Sequence, residues 1–181
     1  MKIPARQCSR VDFPVPAGLD PGLAAALGVA GLVGWVALDH RGHLQTGETV
    51  LVLADDQAID AALAAAVPGG YDLIIDFLWG ALAPHAMNHA SVGARYIQVG
   101  SSAGPTSTIS APAFRNKALT LVGHGLAGTP AEVRRSAYAQ LMRHAIDGKF
   151  TVDLERTRLD DISQTWEHLK AGPPCKLVVT P

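Results

Sequence analysis

The sequence predicts an α/β domain built on a mostly parallel sheet. Three observations carry that expectation. Short runs rich in Val, Ile and Leu recur along the chain, helix-prone stretches separate them, and the connections are brief and marked by Gly and Pro. No internal repeat is visible, and no linker is long enough to divide the chain. One domain is therefore expected over residues 1–181, with residues 1–19 as an extended lead-in and residues 150–181 as a strand–helix–strand tail.

The elements follow in order. Pro21 to Leu38 carries no charge and sits at the lower length limit for a membrane-spanning helix. Gly22, Gly28, Gly31 and Gly34 argue against spanning, as does the missing aromatic belt. Asp20 as N-cap and Pro21 at the first helical position are the start signals of a soluble helix. The expectation is two short buried helices that break near Gly28. Thr49–Leu53 is a β-branched and leucine run, the pattern of a strand buried on both faces. Gln57–Ala66 is an alanine-rich helix stopped by Pro68-Gly69-Gly70. Tyr71–Phe77 is the next strand, and Trp79–His89 is a helix weakened by Pro84. Gly93–Val99 and Ala118–Val122 are two further strands. Thr129-Pro130-Ala131-Glu132 reads as a capping box opening a helix to Asp147, with Gly148 as its left-handed cap. Thr151–Arg156, Asp160–Ala171 and Cys175–Thr180 complete the chain as strand, helix and strand.

Composition excludes several classes. In 181 residues, 15 Lys and Arg face 16 Asp and Glu, a net charge of −1. That balance provides no global electrostatic case for nucleic acid or an anionic membrane surface. Charged residues are 17% of the chain, against about 25% in typical soluble domains. So few charges point to surface buried in a homo-oligomer. Cys8 and Cys175 stand alone, which rules out a disulfide framework and a Cys-rich zinc site and indicates a reducing compartment. No apolar core follows Met1–Arg10 at once, so a cytoplasmic location is expected.

Four motifs bear chemistry at first sight. Gly123-His124-Gly125-Leu126-Ala127-Gly128 spells GxGxxG after a strand, with Asp153 or Glu155 as the ribose carboxylate of a dinucleotide fingerprint. Its register is wrong, because the helix starts at Thr129 and Pro130, after the last glycine. Gly100-Ser101-Ser102-Ala103-Gly104 spells GxSxG, as at a hydrolase nucleophile elbow, with Asp147 or Asp153 and His168 as triad partners. Pro105-Thr106-Ser107-Thr108 is a poor start for the helix an elbow needs, which favours a polar loop. His85 and His89, four apart, could share a metal, but no third ligand lies nearby, so no metal site is expected. Asp55-Asp56 and Asp160-Asp161 read as helix-start carboxylates, Arg134 and Arg135 as surface. Trp35, Trp79 and Trp166 read as core or interface anchors.

Several segments together resemble the medium-chain dehydrogenase/reductase family, in its zinc-independent, quinone-oxidoreductase-like branch. They are VPAGLDPGLAAALGVAGLVGWVAL, GETVLVL, GGYDLIIDF, GARYIQVGSSAG, KALTLVGHG and the tail GKFTVDLERTRLDDISQTWEHLKAGPPCKLVVTP. The resemblance runs from Val15 to the end of the chain. Two family parts have no counterpart: the N-terminal substrate domain, and the stretch after the first strand that holds the glycine-rich phosphate turn and two strand–helix units. Here VLVL passes directly into ADDQAIDAALAAAVPGG.

The resemblance implies a truncated Rossmann-like sheet. Excising the family's second and third strands from the order 3-2-1-4-5-6 leaves 1-4-5-6 contiguous, about four parallel strands with flanking helices. It also removes the point where strand order reverses, where dinucleotides bind, and the residue that reads the adenosine ribose. The implied activity is NADPH-dependent reduction of a quinone, enone or carbonyl, without zinc, with dinucleotide binding expected to be weak or lost. The implied cofactor is NADP(H), and the positions implied to face its nicotinamide half are Val33, Phe77, Trp79, Gly100, Ser101, Ser102 and His124. Val33 stands where relatives often carry a hydroxyl. No catalytic residue carries over. The alternatives are a repurposed non-redox enzyme using the cleft at Ser102 and His124, a ligand-binding or interaction homodimer, or an abridged product without activity of its own. In the family the edge matching Ala118–Val122 pairs across a dimer. The family's C-terminal strands join the substrate domain's sheet, so here they are expected to pair with each other, with Met1–Ser9 or with a partner chain.

Overall fold

The computed structural model describes residues 13–54, 67 and 69–181. These fall into two compact units: Val33–Val133, and the described residues up to Leu32 together with Arg134–Pro181. The helix expected at Gln57–Ala66 and the pairing expected of Met1–Ser9 lie outside the described residues.

Val33–Val133 carries the sheet. Its strands are β1 (Val50–Leu53), β2 (Tyr71–Asp76), β3 (Ala90–Gln98) and β4 (Thr120–Gly123). All three pairings are parallel, and the spatial order β1-β2-β3-β4 is the chain order. This is the four-stranded contiguous sheet expected from the sequence. In register, Leu51 pairs with Ile74, Ile74 with Tyr96, and Tyr96 with Leu121.

Alternation along the central strands divides the core between two faces. On one face, Leu53, Ile74 and Tyr96 pack with Ala83, Ala86 and Met87 of the helix α2 (Leu82–Asn88) and with Phe114 of α3 (Ala111–Asn116). Finding both helices on one face agrees with crossovers of one hand that all step in one direction. On the other face, Leu73, Ile75 and Ile97 pack against Ala37, with Leu38, Phe77 and Val122 at the margin.

The first helix departs from expectation. Instead of two pieces breaking at Gly28, α1 is continuous over Pro21–Val36 and runs into a π-helical turn at Ala37–Arg41. None of the four glycines breaks the helix: Gly28 and Gly34 have nothing within 4 Å of an added Cβ, while Gly31 and Gly22 stand at close approaches. A Cβ on Gly31 would lie 3.0 Å from Leu141, and one on Gly22 would lie 3.0 Å from the Arg156 guanidinium. Pro21–Arg41 is long and apolar enough to cross a membrane by composition, and 39% of that window is buried against protein.

The other unit contains α4 (Ala131–Ile146, from Arg134 on), β5 (Leu154–Arg158), α5 (Ile162–Lys170) and β6 (Lys176–Thr180). Asp20 accepts from Gly22 N at 3.0 Å, as a helix cap should, and pairs with Arg156. Phe13 and Tyr138 stack with ring centroids 5.0 Å apart. Of the partners the sequence left open for the C-terminal strands, the structure selects each other: β5 and β6 pair in parallel from Leu154↔Lys176 to Arg158↔Thr180. Leu159, in the 3-10 turn before α5, and Ile162, Trp166 and Leu169 of α5 stand exposed.

Candidate functional site

The site assembles at the carboxyl ends of β2, β3 and β4, entirely within Val33–Val133. Its foundation is Asp76, the last residue of β2 and fully buried. Asp76 Oδ1 accepts from Leu78 N at 2.8 Å and Trp79 N at 2.9 Å, while Oδ2 accepts from Tyr96 Oη at 2.5 Å. A buried carboxylate is tolerated when its lone pairs are filled, and here three donors fill them. Burial and the adjacent carboxylate drive the Tyr96 hydroxyl far above the ordinary phenol range, so it stays a donor.

That carboxylate shapes the loop above it. Trp79 is held at φ 57° and Gly80 at φ 63°, in the left-handed region that few non-glycine residues enter. The expected helix over Trp79–His89 accordingly starts only at Leu82, with Pro84 tolerated in its first turn. Trp79 bridges Gly104, and its indole meets Tyr96 edge-on at 6.3 Å.

The loop after β3 locks against the loop after β2. Ser102 donates to the Phe77 carbonyl from its amide at 3.4 Å and from its hydroxyl at 3.2 Å, and Ala103 N donates to Leu78 O at 2.9 Å. Gly100 and Gly80 permit this approach: a Cβ on Gly100 would lie 2.5 Å from Phe77 O, and one on Gly80 2.6 Å from Ala103 O. Five expected site residues are thus brought together: Phe77, Trp79, Gly100, Ser101 and Ser102.

Val33 and His124 form a second group. His124 is 6% exposed, and its Nε2 lies 3.2 Å from the Val33 carbonyl. A carbonyl only accepts, so Nε2 carries the proton and Nδ1 is left as a buried acceptor with no partner among the described residues. Burial lowers the His124 pKa, with Arg41 and His40 adding to the effect, so the ring is neutral at neutral pH. The contact uses the backbone of Val33, so a valine in place of a hydroxyl residue does not disturb it. Gln98 links the two groups, its carbonyl accepting from His124 N at 2.8 Å and its amide donating to Gly100 O at 2.8 Å. Pattern reading missed Asp76, Tyr96 and Gln98. The only sequence signal was a carboxylate directly after the apolar run Leu73-Ile74-Ile75.

The motifs resolve as follows. Ser102 and His124 each bond a backbone carbonyl, Phe77 and Val33 respectively. The GxSxG loop is followed by irregular chain until α3 opens at Ala111, with Ser110 as its cap. The GxGxxG segment ends in a 3-10 turn at Leu126–Gly128 before α4, and the Thr129 hydroxyl donates to Gly125 O. His168 pairs with Glu155 at 3.1 Å on an exposed surface. Among the described residues no group of three or more His, Cys, Asp or Glu is placed to hold a metal.

A dinucleotide needs more than the nicotinamide side. It lies at a reversal of strand order, with its pyrophosphate on a glycine turn and a helix N-terminus. Among the described strands the order does not reverse, and β1 forms the edge. Leu53 is followed by Ala54-Asp55-Asp56, and no glycine occurs before Gly69. The pyrophosphate half does not fit these residues.

A scan against protein-family models matches none, and a search of curated proteins finds no relative. Solved structures do match in fold. An alcohol dehydrogenase zinc-binding domain protein from Burkholderia ambifaria aligns at TM-score 0.78 and 14% identity, over 91% of this chain and 57% of that one. Acetophenone reductase from Geotrichum candidum, solved with NAD, aligns at 0.72 and 16%, over 93% and 58%. A thermostable alcohol dehydrogenase from Pyrobaculum aerophilum aligns at 0.71 and 18%, over 91% and 59%. The chain therefore spans less than two thirds of the length of these structures. The chain has the fold of the medium-chain dehydrogenases/reductases over part of their length, as the residues had implied.

Proposed function

We propose that this chain is an oxidoreductase-type domain descended from NADPH-dependent reductases of quinones, enones or carbonyls, with its grip on the whole dinucleotide weak or lost. The observation that carries this is a contrast within one sheet. The loops at the carboxyl ends of β2 and β3 are locked together by Asp76, Ser102 and two close-approach glycines. The sequence after β1 lacks the glycine turn that would hold phosphates, and among the described residues no strand lies beyond β1. In this reading Phe77 and Trp79 wall the nicotinamide side, the 100–104 loop orients it, and the neutral His124 ring closes the β4 side.

The test is a titration with NADPH, following nicotinamide fluorescence. Saturation only toward ~1 mM, an affinity of about 4 kcal/mol, supports the reading, and micromolar binding overturns it.

The low charge fraction and the edge position of β4 favour a homodimer joined through that edge. A soluble, cytoplasmic protein is part of the same proposal. Sizing by light scattering tests the dimer: a monomer at all concentrations refutes it.

A further inference from the structure

We propose that the cradle reads only the nicotinamide half of its ligand, taking a reduced nicotinamide mononucleotide as well as a whole dinucleotide and failing to distinguish NADH from NADPH. The inference rests on the cofactor-derived reading of the site and specifies its ligand class.

Affinity for the adenosine half of a dinucleotide comes from three features: backbone amides at a glycine turn, the positive end of the helix that follows, and a polar residue on the next strand that reads the ribose. The first is absent from the sequence, because Leu53 leads into Ala54-Asp55-Asp56 with no glycine until Gly69. The third has no strand to stand on, since β1 is the edge of the described sheet. Asp55 and Asp56 add two formal negative charges immediately after β1, and these disfavour a pyrophosphate. NADP differs from NAD only by a phosphate on that adenosine ribose, so a site that does not touch the ribose cannot tell them apart.

The nicotinamide side is built by contrast. Trp79 is fixed at φ 57° by the Asp76 carboxylate, and the loop carrying Gly100 and Ser102 is pinned to Phe77 O. Gln98 ties that loop to β4 through His124 N. A rigid, preorganised half beside an unequipped half gives the first nearly all of the recognition.

The experiment uses the full chain and three fluorescent probes: reduced nicotinamide mononucleotide, NADH and NADPH. The expected result is dissociation constants that agree within about threefold, and no displacement of the mononucleotide by 2′-phospho-ADP-ribose. A dinucleotide that binds tenfold or more tightly than the mononucleotide, or NADPH tenfold more tightly than NADH, overturns this inference and leaves the cofactor-derived reading standing. If none of the three probes binds, this inference falls while the cofactor-derived reading, in which the grip is weak or lost, stands; micromolar binding of NADPH overturns both.

Discussion

Tyr96→Phe removes one oxygen from a ring that is fully buried and leaves its shape unchanged. What disappears is the donor held 2.5 Å from Asp76 Oδ2. The Leu78 and Trp79 amides still fill Oδ1 at 2.8 and 2.9 Å, so one carboxylate oxygen loses its partner in dry surroundings. A hydrogen bond to a charged group contributes about 1.5–3 kcal/mol, so the substitution should destabilise the fold by about 2 kcal/mol. For a chain of this length that corresponds to a fall in Tm of about 4–8 °C. Asp76→Ala leaves three buried donors unpaired and should cost about 3–5 kcal/mol, a large share of the ~5–15 kcal/mol of a whole domain. The double variant should be less destabilised than the sum, because Tyr96 has already lost its acceptor in Asp76→Ala. Urea unfolding followed by far-UV circular dichroism, with midpoints compared at equal slope, reads all three. If Tyr96→Phe stays within about 0.5 kcal/mol of the parent, or the double variant is additive, Asp76 is not the anchor of the loop.

The two glycine contexts should separate cleanly. Gly100→Ala places a methyl group 2.5 Å from Phe77 O and should cost about 2 kcal/mol, whereas Gly123→Ala meets nothing within 4 Å and should stay within about 0.5 kcal/mol; thermal melts compare them. His124 titrates below its ordinary value because it is buried, so on acidification the unfolded chain takes up a proton first. Stability should fall as pH drops below about 6.5, and His124→Gln should flatten that part of the profile; an unchanged slope contradicts the burial argument. Asp72 is held below the usual carboxylate value, first by Thr49 N and then by the Ser91 and Thr49 hydroxyls. Its contribution is present above about pH 4 and lost as pH falls through the lower folded value, so the stability gap between parent and Asp72→Asn should close in acid titrations below that point.

Local pattern carried far in this chain. The runs at Thr49–Leu53 and Tyr71–Phe77 became strands within a residue or two, but only the central one is buried as expected: β1 lies at the edge of the described sheet, where Val52 is 53% exposed. The order of the quoted segments also foretold a contiguous four-stranded sheet, since removing one edge of a parallel sheet leaves the remaining pairings intact. The continuity of α1 through Gly28 was not legible. A glycine in isolation weakens a helix, and only the packed structure shows a place, Gly31 beside Leu141, where small size is used.

The site divides the same way. The resemblance to a known family implied Phe77, Trp79, Gly100, Ser101, Ser102 and His124, each at or just after the end of an apolar run, which is a one-dimensional fact about where loops begin. That Asp76 takes its third hydrogen bond from Tyr96, twenty positions away, depends on the β2–β3 register, which pairs Ile74 with Tyr96 and Asp76 with Gln98. The same holds for Gln98, which touches both halves of the site only because β3 lies between β2 and β4. The sequence alone determined which segments are apolar enough to be buried and where no glycine turn exists to hold a pyrophosphate. Tertiary structure alone decided which polar groups meet, because hydrogen-bond partners are chosen by distance in space and each strand leaves that distance undefined until its neighbour is in register.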